Sequence, residues 1–312
     1  MTIHSTSTTG PKGSFSGHET FPFRFAWLPR CVKHTAEDPT IFSRDDAMVR
    51  FGVGKNMVRS IRHWGLACGL LDEVEQSRGK EVRVAEFGAK LFGANGWDPY
   101  LEDPATLWLL HWQLASKPRP ATTWYWTFNH APQLEFTRQE LLGWLTAYVE
   151  ANGWTRVAGM SLKRDIDTFL KTYVAARESA RGRIEDTLDC PLVELALLRD
   201  VPGTGTYALT RSAQPSLPKE VFAFALLDRL STSPGPATVP LDRIAFAPGS
   251  PGRVFGLTED ALLARLEGIS ALTKQAVVFD DTAGVRQLLV RARPDPMALL
   301  EKYYARANRS GQ

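Results

Sequence analysis

The sequence predicts a mainly α protein with small β wings, built from tandem winged helix-turn-helix-like units. Three observations predict it. Two short helical patterns meet at the turn Gly52-Val53-Gly54 and share one apolar seam. A strand–loop–strand pattern follows them as a wing should. The same order of signals returns from Thr137 to Leu209, and again after Leu217. At roughly 100–200 residues per domain, a chain of 312 residues has room for two or three such units.

The first residues are polar and rich in Ser and Thr, and residues 1–14 are expected to form a disordered tail. From Phe15 to Leu28, aromatics alternate with His18, Glu19 and Arg24, and Pro22 argues against a central strand. This segment is expected to be an extended arm packed across the rest of the fold. Ser43 or Asp45 can cap a short helix through Phe51, because their side-chain oxygens can accept from free backbone N–H groups. A second helix is expected from Lys55 to Trp64. Ala47, Phe51, Val53, Val58, Ile61 and Trp64 make the seam between the two. Gly69 to Glu75 and Glu81 to Val84 read as the wing strands around the loop Gln76–Lys80, and Ala85 to Phe92 as a helix ended by Gly93.

Asp98 to Ser116 is expected to be one strongly apolar helix, broken by Lys117-Pro118-Arg119-Pro120. The aromatic run Trp124–Phe128 belongs either to a core or to an exposed interface, which would suit a homodimer on a palindromic target. Thr137 with Glu140 has the spacing of a capping box and opens a helix through Ala151. Ser161 to Tyr173 forms the next helix, with Leu162, Ile166, Phe169 and Leu170 inward. Leu195–Leu198 and Thr206–Leu209 would then form a second wing. In the last unit, helices over Val221–Leu230 and Thr258–Ile269 precede a hairpin of Ala276–Phe279 and Val285–Val290. The expected boundaries are 15–130 for the arm, first winged unit and aromatic helical region, 131–214 for the second unit and 215–312 for the third.

Composition narrows the function classes. Hydrophobic residues are 44% and charged residues 23%, ordinary for a globular chain, and the net charge of +3 is too small to identify a partner without its distribution. No apolar run of about eighteen residues exists to span a membrane, and the polar start is not a secretory signal. Cys31, Cys68 and Cys190 are odd in number and widely spaced, which fits neither a disulfide framework nor a zinc knuckle and points to a reducing cytoplasm. No phosphate-binding GxxxxGK[ST] loop, dinucleotide GxGxxG, HExxH or GxSxG pattern occurs, which argues against those chemistries.

The expected DNA-reading residues are Lys55, Asn56, Arg59, Ser60, Arg62 and His63, facing away from the seam, with Arg78 and Lys80 at the wing tip. Arg pairs with guanine, Asn with adenine, and Lys neutralises phosphate, so the implied partner is double-stranded DNA. The plain alternative is a solvated face on a winged helix that contacts only protein. A second basic stretch contains Lys163, Arg164, Lys171, Arg177, Arg181 and Arg183, interrupted by Asp165 and Asp167. For DNA cleavage, Asp165, Glu185, Asp186 and Asp189 are the candidate acids, to hold Mg²⁺ or Mn²⁺, with Lys163 stabilising charge. No PD-(D/E)xK or HNH spacing supports them, and an acidic loop before Pro191 is the plainer reading. His18-Glu19 with Arg24 is either an acid–base or phosphate-clamp group, or a satisfied structural histidine among aromatics.

Several longer motifs carry a family resemblance. Phe15-Ser16-Gly17-His18-Glu19-Thr20-Phe21 opens the set, followed by Leu91-Phe92-Gly93 and the run Asp98-Pro99-Tyr100-Leu101-Glu102-Asp103-Pro104 through His111-Trp112. Ser161-Leu162-Lys163-Arg164-Asp165, Asp189-Cys190-Pro191-Leu192, Gly249-Ser250-Pro251-Gly252-Arg253-Val254-Phe255 and Thr282-Ala283-Gly284 complete it. The chain from Phe15 onward resembles the SspB-like family, the bacterial domain-of-unknown-function family 4007. The resemblance implies a DNA-nicking component of a DNA phosphorothioation defence system against phage, beside a cysteine desulfurase, an ATPase and a sulfur-transfer enzyme. It also leaves open a non-catalytic DNA-binding adaptor that recruits those partners, and it carries over no catalytic residue.

Overall fold

A computed structural model describes residues 13–175, 190–231, 237–282 and 284–310. The arm is not extended. Residues 15–26 run through tight turns, with Ser16, Glu19 and Thr20 at positive φ, and from Trp27 the chain is helical. Helix α1 (Trp27–Glu37) has its apolar positions at helical spacing and buries Trp27, Leu28, Cys31 and Val32. The Phe21 carbonyl accepts hydrogen bonds from Trp64 Nε1 (2.9 Å) and Ser60 Oγ (3.3 Å), so the arm does lie across the fold.

Helices α2 (Ala47–Phe51) and α3 (Lys55–Ala67) meet as the apolar spacing requires: Ala47, Phe51, Val58, Ile61 and Trp64 are buried together. Gly52 ends α2 at φ +65°, a left-handed turn that costs glycine little. Neither Ser43 nor Asp45 caps α2. The residue at the cap is Asp46, whose carboxylate is taken by Arg44 at 2.6 Å, while Ser43 Oγ donates to the Lys80 carbonyl and ties the helix pair to the wing. Strands β1 (Leu71–Glu73) and β2 (Val82–Val84) form that antiparallel wing, and α4 (Glu86–Phe92) ends at Gly93.

The apolar helix expected from Asp98 begins only at Pro104. Asp103 accepts from the Ala105 N–H and Pro104 occupies the first turn, where its missing N–H costs nothing, giving α5 (Pro104–Ala115). Helix α6 (Thr122–His130) carries the aromatic run, and Trp124, Trp126 and Phe128 are all buried. The exposed-interface reading of that run is therefore incorrect, because α5 and the helices over residues 138–151 and 159–173 pack around it.

The second unit runs β3 (Glu135–Thr137), α7 (Arg138–Ala151), α8 (Gly159–Tyr173), β4 (Leu198–Val201) and β5 (Thr206–Leu209), with antiparallel order β3-β5-β4. The Thr137–Glu140 capping box is formed. After α9 (Lys219–Ser231), the third unit repeats that plan: β6 (Thr238–Pro240), α10 (Leu241–Ala245), α11 (Pro251–Val254), α12 (Glu259–Glu267), α13 (Ile269–Leu272), β7 (Val277–Thr282) and β8 (Val285–Val290), in order β6-β8-β7. Helix α14 (Met297–Ser310) packs on α9, which buries Val221 to Leu227 without interruption. One continuous hydrophobic core links all of these parts. Among the described residues, no helix is long and apolar enough to cross a membrane.

Candidate nucleic-acid interface

The N-terminal half of α3 is the exposed half. Lys55, Asn56 and Arg59 face solvent, Arg59 at 57% exposure with its guanidinium 3.6 Å from Glu19. Gly54 precedes the helix and offers no side-chain cap, so the first-turn N–H groups open outward beside Lys55. They border a depression of about 780 Å³ that also takes in Phe21, Arg24, Met48 and Val49. Arg24 lies over the Trp27 ring at 5.4 Å. Arg78, at φ +53°, and Lys80 are exposed at the wing. Arg62 is committed elsewhere: it donates to Glu73 (2.8 Å) and to the Gly79 carbonyl (3.3 Å), clamping α3 to its own wing.

Two of the expected groove-facing residues point inward. Ser60 is fully buried against the arm, and His63 packs edge-on against Trp64 and 5.9 Å from the His18 ring. Burial drives the His63 imidazole down to about 3, with neighbouring His18 as a second cause, so it is neutral. A side chain on Gly17 would meet His63 Nδ1 at 2.3 Å, which is why the arm passes this point as glycine. The seam reading allowed α3 one buried side. It has two, because the arm covers the face that α1 and α2 leave open.

Asp165 is also placed differently from its expected role. It is 1% exposed, and its oxygens accept from Ser16 N–H (2.6 Å), His18 Nε2 (2.7 Å) and Thr123 Oγ1 (2.6 Å). His18 Nδ1 accepts from the Thr20 N–H, so Nε2 carries the proton that goes to Asp165. This is the satisfied structural histidine, and Asp165 is its partner rather than an acid open to a phosphodiester. Lys163, two residues earlier, is exposed on a different side of α8, beside Arg138 and Gln139. Glu185, Asp186 and Asp189 lie outside the described residues, as do Arg177, Arg181 and Arg183. Among the described residues, no group of three or more His, Cys, Asp or Glu is placed to hold a metal ion. Asp165, buried and already accepting three hydrogen bonds, does not fit a divalent cation.

Three buried polar joints had no signal in the spacing. The Asp98 carboxylate accepts from the Glu102 and Asp103 N–H groups and from Thr106 Oγ1, which also meets Tyr304 at 2.7 Å. His111 Nε2 donates to the Val254 carbonyl at 2.7 Å, which leaves Nδ1 to accept from Tyr173 at 2.8 Å, and burial lowers its pKa to about 4. Asn129 receives the Gly249 N–H at 2.7 Å. The motifs around Asp98, His111 and Gly249 thus join units to one another.

Comparison with known proteins gives a consistent result. No curated protein matches the chain. Two solved structures do: a magnesium ion-bound SspB crystal structure, at 35% identity and TM-score 0.85, and an SspB crystal structure, at 33% and 0.83. Each match covers 94% of this chain and 88% of the other. The family described as protein of unknown function DUF4007 matches residues 15–304, so this chain is an SspB-like member of the DUF4007 family.

Proposed function

We propose that the protein binds duplex DNA as a component of a DNA phosphorothioation system, with its three helix–hairpin units acting as tandem winged helices. In this reading α3 enters the major groove. Asn56 and Arg59 reach base edges, Lys55 lies against phosphate, and Arg78 and Lys80 of the wing contact the flanking backbone. The observation that carries it is the outward presentation of Lys55, Asn56 and Arg59 on a helix whose other sides are fixed by α1, α2 and the arm. Arg62 serves by holding the wing at a set angle.

The test is duplex affinity measured against salt. Lys55→Ala with Arg59→Ala is expected to weaken binding at least tenfold and to flatten the slope of log K against log salt by about two, since each lost phosphate-type contact removes about 0.9. An unchanged slope and affinity would remove α3 from the interface.

Nicking is a second reading, favoured by the magnesium-bound relative. Its candidate acids are Glu185, Asp186 and Asp189, with Lys163 as charge stabiliser, and Asp165 withdrawn by its burial. The rival is an adaptor that marks DNA for a cysteine desulfurase, an ATPase and a sulfur-transfer enzyme, a role that needs no PD-(D/E)xK or HNH spacing and no metal. Relaxation of supercoiled plasmid that requires Mg²⁺ and is lost on alanine replacement of the three acids selects nicking. Binding without relaxation selects the adaptor.

A further inference from the structure

We propose that the outer face of α8 is a second duplex-binding surface, so that two basic helices, α3 and α8, grip the same DNA at a spacing fixed by the buried arm. This rests on the duplex-DNA reading of α3. Helix α8 occupies in the second unit the place of α3 in the first: it is the second helix after the turn, ahead of the wing hairpin. Lys163, Arg164 and Lys171 are exposed on it, and none has a carboxylate partner among the described residues. Asp167, which lies on the same helix, is neutralised by Arg138 through two bonds of 2.6 and 2.7 Å. Arg138 and Lys163 border a depression of about 290 Å³ between α7 and α8.

The third unit supplies the contrast. Its longest helix between β6 and the hairpin, α12, exposes Glu259, Asp260 and Glu267, and Arg265 turns inward to the carbonyls of Ala213, Gln214 and Leu217. Its wing carries Asp280 and Asp281, and Arg286 is engaged by Asp281 and Glu259. Helices α3 and α8 therefore present cations outward where α12 presents carboxylates. A polyanion is attracted by the former and repelled by the latter.

What makes α3 and α8 one surface is their shared backing. His63 of α3 stacks edge-on to His18, whose Nε2 is bonded to Asp165 of α8, and Trp124 touches both Trp64 of α3 (5.3 Å between ring centroids) and Phe169 of α8 (5.7 Å). Successive helix residues point about 100° apart, so Asp165 can lock the joint while Lys163 and Arg164 face out. With the spacing built in, a duplex held by one helix meets the other at high effective concentration.

The experiment measures binding of a duplex of about 24 base pairs, slightly over two turns, across a salt series. Lys163→Ala with Arg164→Ala is expected to weaken binding about tenfold or more and reduce the salt slope by about two, with an unchanged melting temperature. Lys302→Ala with Arg309→Ala, on α14, removes the same charge elsewhere and is expected to leave the slope within error. If the α8 variant binds like the parent while the α3 variant does not, the second surface is refuted and the α3 reading stands. Equal losses from the α8 and α14 variants would also refute it, by reducing the effect to net charge. A parent protein that binds no duplex refutes both readings.

Discussion

Asp165 and Lys163 illustrate how position on a helix decides role. The two are separated by one residue and differ completely in environment, one a buried acceptor of three hydrogen bonds, the other solvated. Replacing Asp165 by Ala would strand the His18 N–H, the Thr123 hydroxyl and the Ser16 N–H in the interior. Leaving a buried donor unsatisfied costs about 1–3 kcal/mol each. The expected outcome is a large fall in the denaturant midpoint, and any loss of DNA binding should follow the unfolded fraction measured by circular dichroism. Normal stability with abolished cleavage would instead return Asp165 to the chemistry. Residue type and local pattern showed that His18 sits among aromatics. They carried no information on which of the distant carboxylates would meet it, since 147 positions separate the pair.

Among the elements, the first helix pair, its wing and α4 follow closely from the pattern, because apolar spacing, Gly52 and the period-two wing strands are local signals. The Thr137–Glu140 box is similarly local, being a contact across one turn. Helix α1 is missed because aromatic and basic residues mask its apolar stripe, and the start of α5 is misplaced because Asp103-Pro104 competes with the apolar run upstream. The wing depends on one nonlocal clamp, Arg62 to Glu73 and Gly79. Arg62→Ala is expected to raise amide hydrogen exchange over residues 73–82 about tenfold or more, equivalent to about 1.4 kcal/mol, while exchange in α8 stays constant. Equal protection in parent and variant would mean that Ser43 and the strand pairing alone hold the wing.

Across the whole molecule, the units are fused through buried polar joints, and two of those joints contain neutral imidazoles. His63 lies at the contact between α3 and the arm, and His111 ties α5 to both Tyr173 of α8 and the Val254 carbonyl of α11. Their folded pKa values, about 3 and about 4, lie below the ordinary 6.5, so the unfolded chain takes up protons first. Their contribution is complete above about pH 6.5 and is lost as pH falls toward 4, by an amount on the order of several kcal/mol for the two together. Urea midpoints measured from pH 7.5 to 4.5 should fall steadily in that window, and a flat profile would contradict the burial of both rings.

The sequence by itself determined the α2–α3 pair, the β1–β2 hairpin after it, the capping box, the basic character of α3 and α8 and the family, because each is written in neighbouring residues or in contiguous motifs. Only the tertiary structure decided which side of α3 the arm covers, that Ser60, His63 and Asp165 face inward, and that α12 turns carboxylates outward where α3 and α8 turn cations. Those outcomes depend on desolvation and hydrogen bonding between residues far apart in the chain, and burial is a property of the assembled fold that no local pattern encodes.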